Sequence, residues 1–368
     1  MSSINQVIIY IMVICMALGA IDKCFGNKFG IGEKFEEGIM AMGALALAMV
    51  GVICLAPVLA NVLGPIVTPA FNALGADPAM FAGSILANDM GGAPLAASLA
   101  QDPQAGMFSG LIVGAMMGAT VVFTIPVSLG IIEKKDHKFL ATGILAGIIT
   151  IPIGAFVGGL VAGFPVMMVL KNLVPIIIFA ILIAIGLMKA EKAMIKGFTY
   201  FGKGVVIIIT LALAAAIIEA LTGIVIIPGM NPISEGIGIV GDIAIVLAGA
   251  FPLVYIITKV FKKPLMALGK VLGMNEIAAA GMVASLANNI PMFGMLKDMD
   301  DRGKIINIAF AVSASFVFGD HLGFTAGFNA DMIFPMIVAK LVGGITAVIL
   351  AMFIANKTLG KVKVKETK

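Results

Sequence analysis

Apolar runs of bilayer-spanning length recur along almost the whole chain, and no other feature constrains its fold as tightly. A helix needs roughly 20 residues to cross a hydrocarbon core. Runs of about that length occupy 4–21, 39–60, 106–132, 139–163, 165–188, 198–222, 237–258, 303–329 and 331–355, and each is expected to cross. Because the runs are continuous rather than alternating, a β-barrel is excluded. The chain is 61% hydrophobic and only 12% charged over 368 residues, whereas soluble domains run near half and a quarter. The expected fold is an all-α polytopic membrane protein with about 9–11 transmembrane helices, the higher figure applying if 61–75 and 264–274 also cross. The first run lacks a basic leader and a small-residue cleavage site, so it is expected to stay as a span rather than act as a signal peptide.

Two further segments, 78–99 and 275–296, are apolar but interrupted at their centres. The first carries "ILANDMGGAP" at 85–94, where Asn88 and Asp89 precede Gly91, Gly92 and Pro94. The second carries "SLANNIPMFG" at 285–294, with Asn288, Asn289, Pro291 and Gly294. Irregular backbone at membrane depth survives only where protein or a watery cavity covers it. One such break is explained equally well by a kinked helix capped by its own asparagine. Two at matching places read as hairpin tips whose freed carbonyls, amides and Asn/Asp side chains hold a small polar solute.

The match extends beyond the tips. Shifting the chain by about 198–200 residues lays "FEEG" (35–38) on "ISEG" (233–236), Gly43 and Gly51 on Gly241 and Gly249, and "LAND" (86–89) on "LANN" (286–289). Loop charges orient the halves. Lys23, Lys28, Lys34, Lys134, Lys135 and Lys138 flank spans of the first half, while 61–77 and 100–105 carry no Lys or Arg. In the second half the pattern is complementary: Lys259, Lys262, Lys263, Lys270, Lys297, Arg302 and Lys304 fill the loops equivalent to the bare ones. Under the positive-inside rule, equivalent loops then face opposite sides. The expectation is two inverted-topology repeats with broken, re-entrant hairpins, at 1–164 and 198–356. They are joined by a linking helix at 165–197 and followed by a basic cytoplasmic tail at 357–368, with the N-terminus outside.

"FGDHLGF" places Asp320 and His321 near the middle of span 303–329. Ionisable groups there cost several kcal/mol, so function is the default reading and a structural Asp–His hydrogen bond the alternative. Through the repeat, Asp320 corresponds to Thr120 and Asp89 to Asn289. A symmetric scaffold with carboxylates at single positions suits a cationic solute, because each anion offsets part of the cation's lost hydration. The candidate substrate site is therefore Asn88, Asp89, Gly91, Gly92, Asn288, Asn289, Pro291, Asp320 and His321. Glu36, Glu37 and Thr120 are secondary candidates, the two glutamates reading first as a helix cap. Lys171 and Lys340 are expected to snorkel or pair. "KDMDDRGK" (297–304) resembles an acidic magnesium-diphosphate cluster but has no partner cluster and reads as a solvated turn. The three cysteines suggest neither a disulfide framework nor a zinc site. No Walker-type loop is present, so ATP-driven transport is not supported by this chain. No metal, cofactor or nucleic acid is called for.

The stretches "FEEGIMAMGALALAMVG", "MFAGSILANDMGG", "AAAGMVASLANNIPMFGM" and "FGDHLGF" are similar to the EutH family, the ethanolamine permeases of bacterial ethanolamine-utilization operons. The resemblance covers nearly the whole chain and places no substrate site. It implies a non-enzyme of the bacterial cytoplasmic membrane. Its substrate would be ethanolamine, feeding a cobalamin-dependent ammonia-lyase pathway housed in a microcompartment. Protonated ethanolamine fits the residues: Asp89 or Asp320 can take its ammonium, and asparagines and freed carbonyls its remaining hydrogen bonds. A secondary transporter or facilitator is the leading reading, and a channel-like pore for small polar amines or another small cation the alternative. The sequence leaves open whether a proton or a sodium ion is coupled, and whether the chain forms a homo-oligomer among the membrane lipids.

Overall fold

The computed structural model describes residues 3–359, and among them every regular element is helical. The expected tail at 357–368 lies outside the described residues from position 360 onward. In chain order come α1 (Ser3–Cys24), α2 (Ile31–Ala73), the short pair α3 (Met80–Ile85) and α4 (Gly92–Leu99), and α5 (Pro103–Ile131). Then follow α6 (His137–Val161), α7 (Val166–Ala190), α8 (Lys192–Thr222) and α9 (Ile233–Val271). A second short pair, α10 (Glu276–Ala287) and α11 (Asn289–Met295), leads to α12 (Asp301–Ala314), α13 (Asp320–Phe328) and α14 (Ile333–Thr358). α7 runs into α8 through a kink at Ala190, whose φ of −144° is not helical.

Among the described residues eight helices are long and apolar enough to cross a membrane: α1, α2, α5 to α9, and α14. The expected crossing at 303–329 is not one of them. It breaks between α12 and α13, where Phe316 takes a left-handed φ of 62°. The amides released there have fixed partners: Phe316 N donates to Ser285 O and Phe318 N to Leu286 O, both at 3.0 Å. Buried backbone groups must be paired, so two interrupted segments satisfy each other. Neither 61–75 nor 264–274 is a separate crossing, because both prolong helices already begun, to Ala73 and Val271. At about 1.5 Å per residue α2 reaches roughly 65 Å, twice a hydrocarbon core. Its three internal prolines do not end it, as neighbouring groups in membrane bundles take up the carbonyls a proline frees.

Both short pairs are hairpins whose ends meet. Asp77 Oδ2 accepts from Gln101 N and Asp102 N, closing the first, while Asn275 N donates to Asp300 Oδ1 at 2.8 Å, closing the second. Positions about 198–200 apart repeat these contacts. Ser109 Oγ donates to Ala79 O, and Asn307 Nδ2 to Ala278 O; Asp102 caps α5, and Asp300 caps α12. α2 and α9 pack antiparallel, with Gly38 against the backbone of Leu247 and Ala248 and Gly236 against Val50.

Helix ends are tied at two places. Arg302 Nε donates to Leu272 O and its Nη1 to Asn356 Oδ1, and Lys304 Nζ lies 2.7 Å from Asp136 Oδ1. These bonds put the ends of α9 and α14 with the starts of α6 and α12; within "KDMDDRGK" Lys297, Asp298 and Asp301 are exposed, as in a solvated turn, while Arg302 and Lys304 are buried ties. Elsewhere Asn5 Nδ2 donates to Asp331 O, and Phe334 N to Asn5 Oδ1, holding the N-terminus at the start of α14. Lys304→Met leaves the Asp136 carboxylate buried alone, which typically costs about 3–5 kcal/mol. The expected result is a lower thermal midpoint in detergent with ligand affinity unchanged, measured on the purified protein.

Candidate functional site

The hairpin tips form where the sequence interrupts them. In the first, Leu86 and Ala87 go extended, a tight turn covers Asn88–Met90, and Gly91 (φ 94°) starts the return. A side chain at Gly91 would need an unfavourable φ and would strike Val52, so the glycine is required by backbone and packing alike. In the second, Asn288 is the break: its backbone is extended, and its Oδ1 accepts from Ile290 N at 2.8 Å to cap α11.

The third break lies between the two tips. On one side its backbone bonds the end of α10, as described above. On the other, His321, the second residue of α13, sets Nε2 3.9 Å from Asp89 Oδ1. Lys340 Nζ reaches into the same place from α14, 3.0 Å from His321 Nδ1, and also donates to Ala115 O of α5. Phe316 covers the imidazole at 5.0 Å between ring centroids, and Phe123 stands edge-on to Phe316. Four segments thus bring Asp89, His321, Lys340 and the Ala115 carbonyl together inside the bundle. Asp320 precedes His321 at the start of α13, and Asp89 and Lys340 flank the imidazole on its two nitrogens.

Beside this cluster Asn88 is fully buried, and neither its Nδ2 nor its Oδ1 has a hydrogen-bond partner among the described residues. Its backbone packs on Gly114, one residue from the carbonyl that holds Lys340. Buried amides are almost always paired, so both polar atoms of this one are open to a further partner. From the other direction a cavity of about 620 Å³ runs inward between α2, α9 and the second hairpin. Lys34, Glu37, Tyr255 and Lys259 line it, and so do Asn288, Pro291 and Asp320.

The remaining candidates are placed differently. Asn289 is buried away from this cavity, its Nδ2 donating to Thr124 Oγ1 at 3.2 Å. Thr120 shares its hydroxyl hydrogen between Met116 O and Val312 O, tying α5 to α12. Gly92 lies where a Cβ would press on the carbonyls of Leu86 and Ala87. Glu36 and Glu37 are not a cap, since α2 begins at Ile31; they pair with Lys23 and Lys34. The cap is Asp22, whose carboxylate accepts from the amides of Phe29, Ile31 and Gly32. Lys340 does not snorkel: it is 1% exposed. Among the described residues no group of three or more His, Cys, Asp or Glu side chains forms a metal site.

Long apolar helices, with broken segments burying ionisable groups among them, define a multi-pass helical membrane protein. The chain belongs to the EutH family: the family model described as "Ethanolamine utilisation protein, EutH" matches residues 4–354. It is 69% identical to "Probable ethanolamine permease EutH" of Listeria monocytogenes over 99% of this chain and 98% of that one. The Escherichia coli protein of the same name is 53% identical, covering 96% of each chain. "Uncharacterized protein YxeR" of Bacillus subtilis is also 53% identical, over 94% of this chain and 93% of its own. No solved structure matches the chain.

Proposed function

We propose that this protein carries protonated ethanolamine across the bacterial cytoplasmic membrane as a secondary transporter or facilitator, with its site at the junction of the three broken segments. The single observation that carries this reading is that Asp320, at the start of one broken segment, lines an open cavity, while the next residue, His321, sets its ring 3.9 Å from Asp89 of another. Two carboxylates so placed attract a small cation and repel each other without one. The names of the relatives supply the cation: ethanolamine.

Roles follow from hydrogen-bonding capacity. The ammonium has three donors and suits Asp320 and Asp89; the hydroxyl both donates and accepts, and the unpartnered amide of Asn88 offers a group for each. Asn288 and Pro291 shape the route in. At about 620 Å³ the cavity far exceeds one ethanolamine, so it serves as a watery vestibule leading to the site. Matching hydrogen bonds in the two halves, with the antiparallel α2–α9 pair between them, support inverted repeats at 1–164 and 198–356 joined through 165–197. The vestibule opens beside Lys34 and Lys259, the side that the positive-inside rule assigns to the cytoplasm, with the N-terminus opposite.

Proteoliposomes test the reading. Labelled ethanolamine uptake is expected to saturate and to be accelerated by unlabelled ethanolamine loaded inside. Uptake that rises linearly with concentration and ignores internal substrate would instead establish the channel-like alternative. Imposed proton and sodium gradients, applied to the same vesicles, identify the coupling ion.

A further inference from the structure

Lys340 is the charged member of the buried cluster to which the transport reading gives no part. A long side chain can escape an apolar helix by running to its end, yet this one turns inward and is 1% exposed. Its ammonium has donors only. One goes to Ala115 O and another to His321 Nδ1, so Nδ1 is the accepting nitrogen and the ring hydrogen sits on Nε2, facing Asp89 Oδ1 at 3.9 Å. A neutral imidazole so oriented turns the positive end of its dipole toward the Asp89 carboxylate and stands between it and the Lys340 ammonium.

Counting charge makes the arrangement specific. Asp89 and Asp320 bring two negative charges and Lys340 one positive, leaving a single negative charge for one ammonium to neutralise. Other charged side chains near the vestibule stand at its mouth, where Lys34 pairs with Glu37 and Lys259 lies beside Tyr255. α10 and α11 present uncharged Asn288 and Pro291 to the vestibule, and α5 contributes a backbone carbonyl.

We infer that Lys340 is a tethered counter-cation: it balances Asp89 through His321 while the site is empty, and yields that role to the substrate ammonium on binding. This rests on the transport reading above. A carrier must return empty to take up solute on balance, and two uncompensated carboxylates buried together oppose that return. Without Lys340 the loaded site keeps one unmatched negative charge and the empty site two, so loss of the tether bears hardest on the empty carrier. Lys340 is therefore a positioning residue for the empty state. Its removal separates two activities that a purely structural peg on Ala115 would lose together.

The test compares net uptake of labelled ethanolamine into substrate-free proteoliposomes with exchange into vesicles preloaded with ethanolamine. Lys340→Met is expected to retain exchange within about threefold of wild type and to lose net uptake by at least about tenfold. Lys340→Arg, which keeps the charge, is expected to retain both. Wild-type net uptake in Lys340→Met overturns the proposal, and so does equal loss of both modes in a monodisperse Lys340→Met protein. If Lys340→Met yields no monodisperse protein, Lys340→Arg decides: retained net uptake supports the tether, and lost net uptake overturns it. Wild-type protein inactive in both modes would refute the transport reading itself, a result distinct from any of these.

Discussion

Asp320→Asn is expected to abolish saturable ethanolamine uptake, and so is Asp89→Asn, with both variants keeping wild-type yield and elution. Asparagine has nearly the shape of aspartate but lacks its charge, so packing around each tip persists and the ammonium loses its counter-ion. Removing one partner of a desolvated charge pair typically costs about 2–5 kcal/mol, which lowers affinity by roughly thirty- to several-thousand-fold. Asp320, which lines the vestibule, meets the substrate first. In the proposed site Asp89, 3.9 Å from His321 Nε2, supplies the second carboxylate. Binding of ethanolamine to detergent-solubilised protein, followed by a shift in thermal midpoint, reports the loss independently of transport. Two variants with wild-type uptake would remove both carboxylates from the site.

Gly319→Val and Gly118→Val each prevent the broken segments from closing on one another. A Cβ at Gly319 would overlap Ala287 O, and one at Gly118 would overlap Leu86 O. Both obstacles are backbone carbonyls at the start of a tip, so neither can swing aside as a side chain would. Overpacking a tight core costs about 1–3 kcal/mol even when neighbours can shift, and here the expected loss is at the upper end or beyond. Thermal unfolding in detergent is expected to show a clearly lowered midpoint for both, with uptake lost. Gly43→Ala and Gly294→Ala, where nothing lies within 4 Å of the new atom, serve as controls expected to unfold like wild type. Equal midpoints for Gly319→Val and Gly43→Ala would contradict the close packing.

Much of this architecture is legible in the residues. Apolar run length places eight of the long helices, and the Gly/Pro/Asn interruptions at 88–94 and 288–294 locate two breaks, because those residues lack the means to continue a helix through lipid. The third break is not legible in the same way. "SASFVFGD" contains no proline and only one glycine, and its helix opens because Ser285 and Leu286 offer carbonyls from elsewhere in the chain. Such a bond belongs to tertiary structure, and periodicity along one segment does not register it. The argument that made Asp320 and His321 candidates is unaffected, since their cost in lipid does not depend on whether the helix is whole.

Lys340 and Asp22 show two other ways in which signal is missed. Lys340 sits seven residues into α14, about 10 Å along its axis, which exceeds what a lysine stem spans comfortably. That distance from either end was the available hint that it pairs inside rather than snorkels. Asp22 caps α2 from the last turn of α1, across the loop between them. The nearer Glu36 and Glu37 drew the cap reading only because the apolar run starts at 39, eight residues after the helix itself. Helix boundaries follow hydrogen bonds, and apolar boundaries follow lipid.

In the proposed mechanism two half-buried carboxylates at interrupted helices hold one organic cation for carriage across the membrane. Counterflow tests it most directly: proteoliposomes loaded with unlabelled ethanolamine are diluted into a trace of labelled ethanolamine. The account predicts transient accumulation of label above equilibrium in wild type and none in Asp320→Asn. Simple equilibration in wild type, or the same overshoot in both proteins, would contradict it.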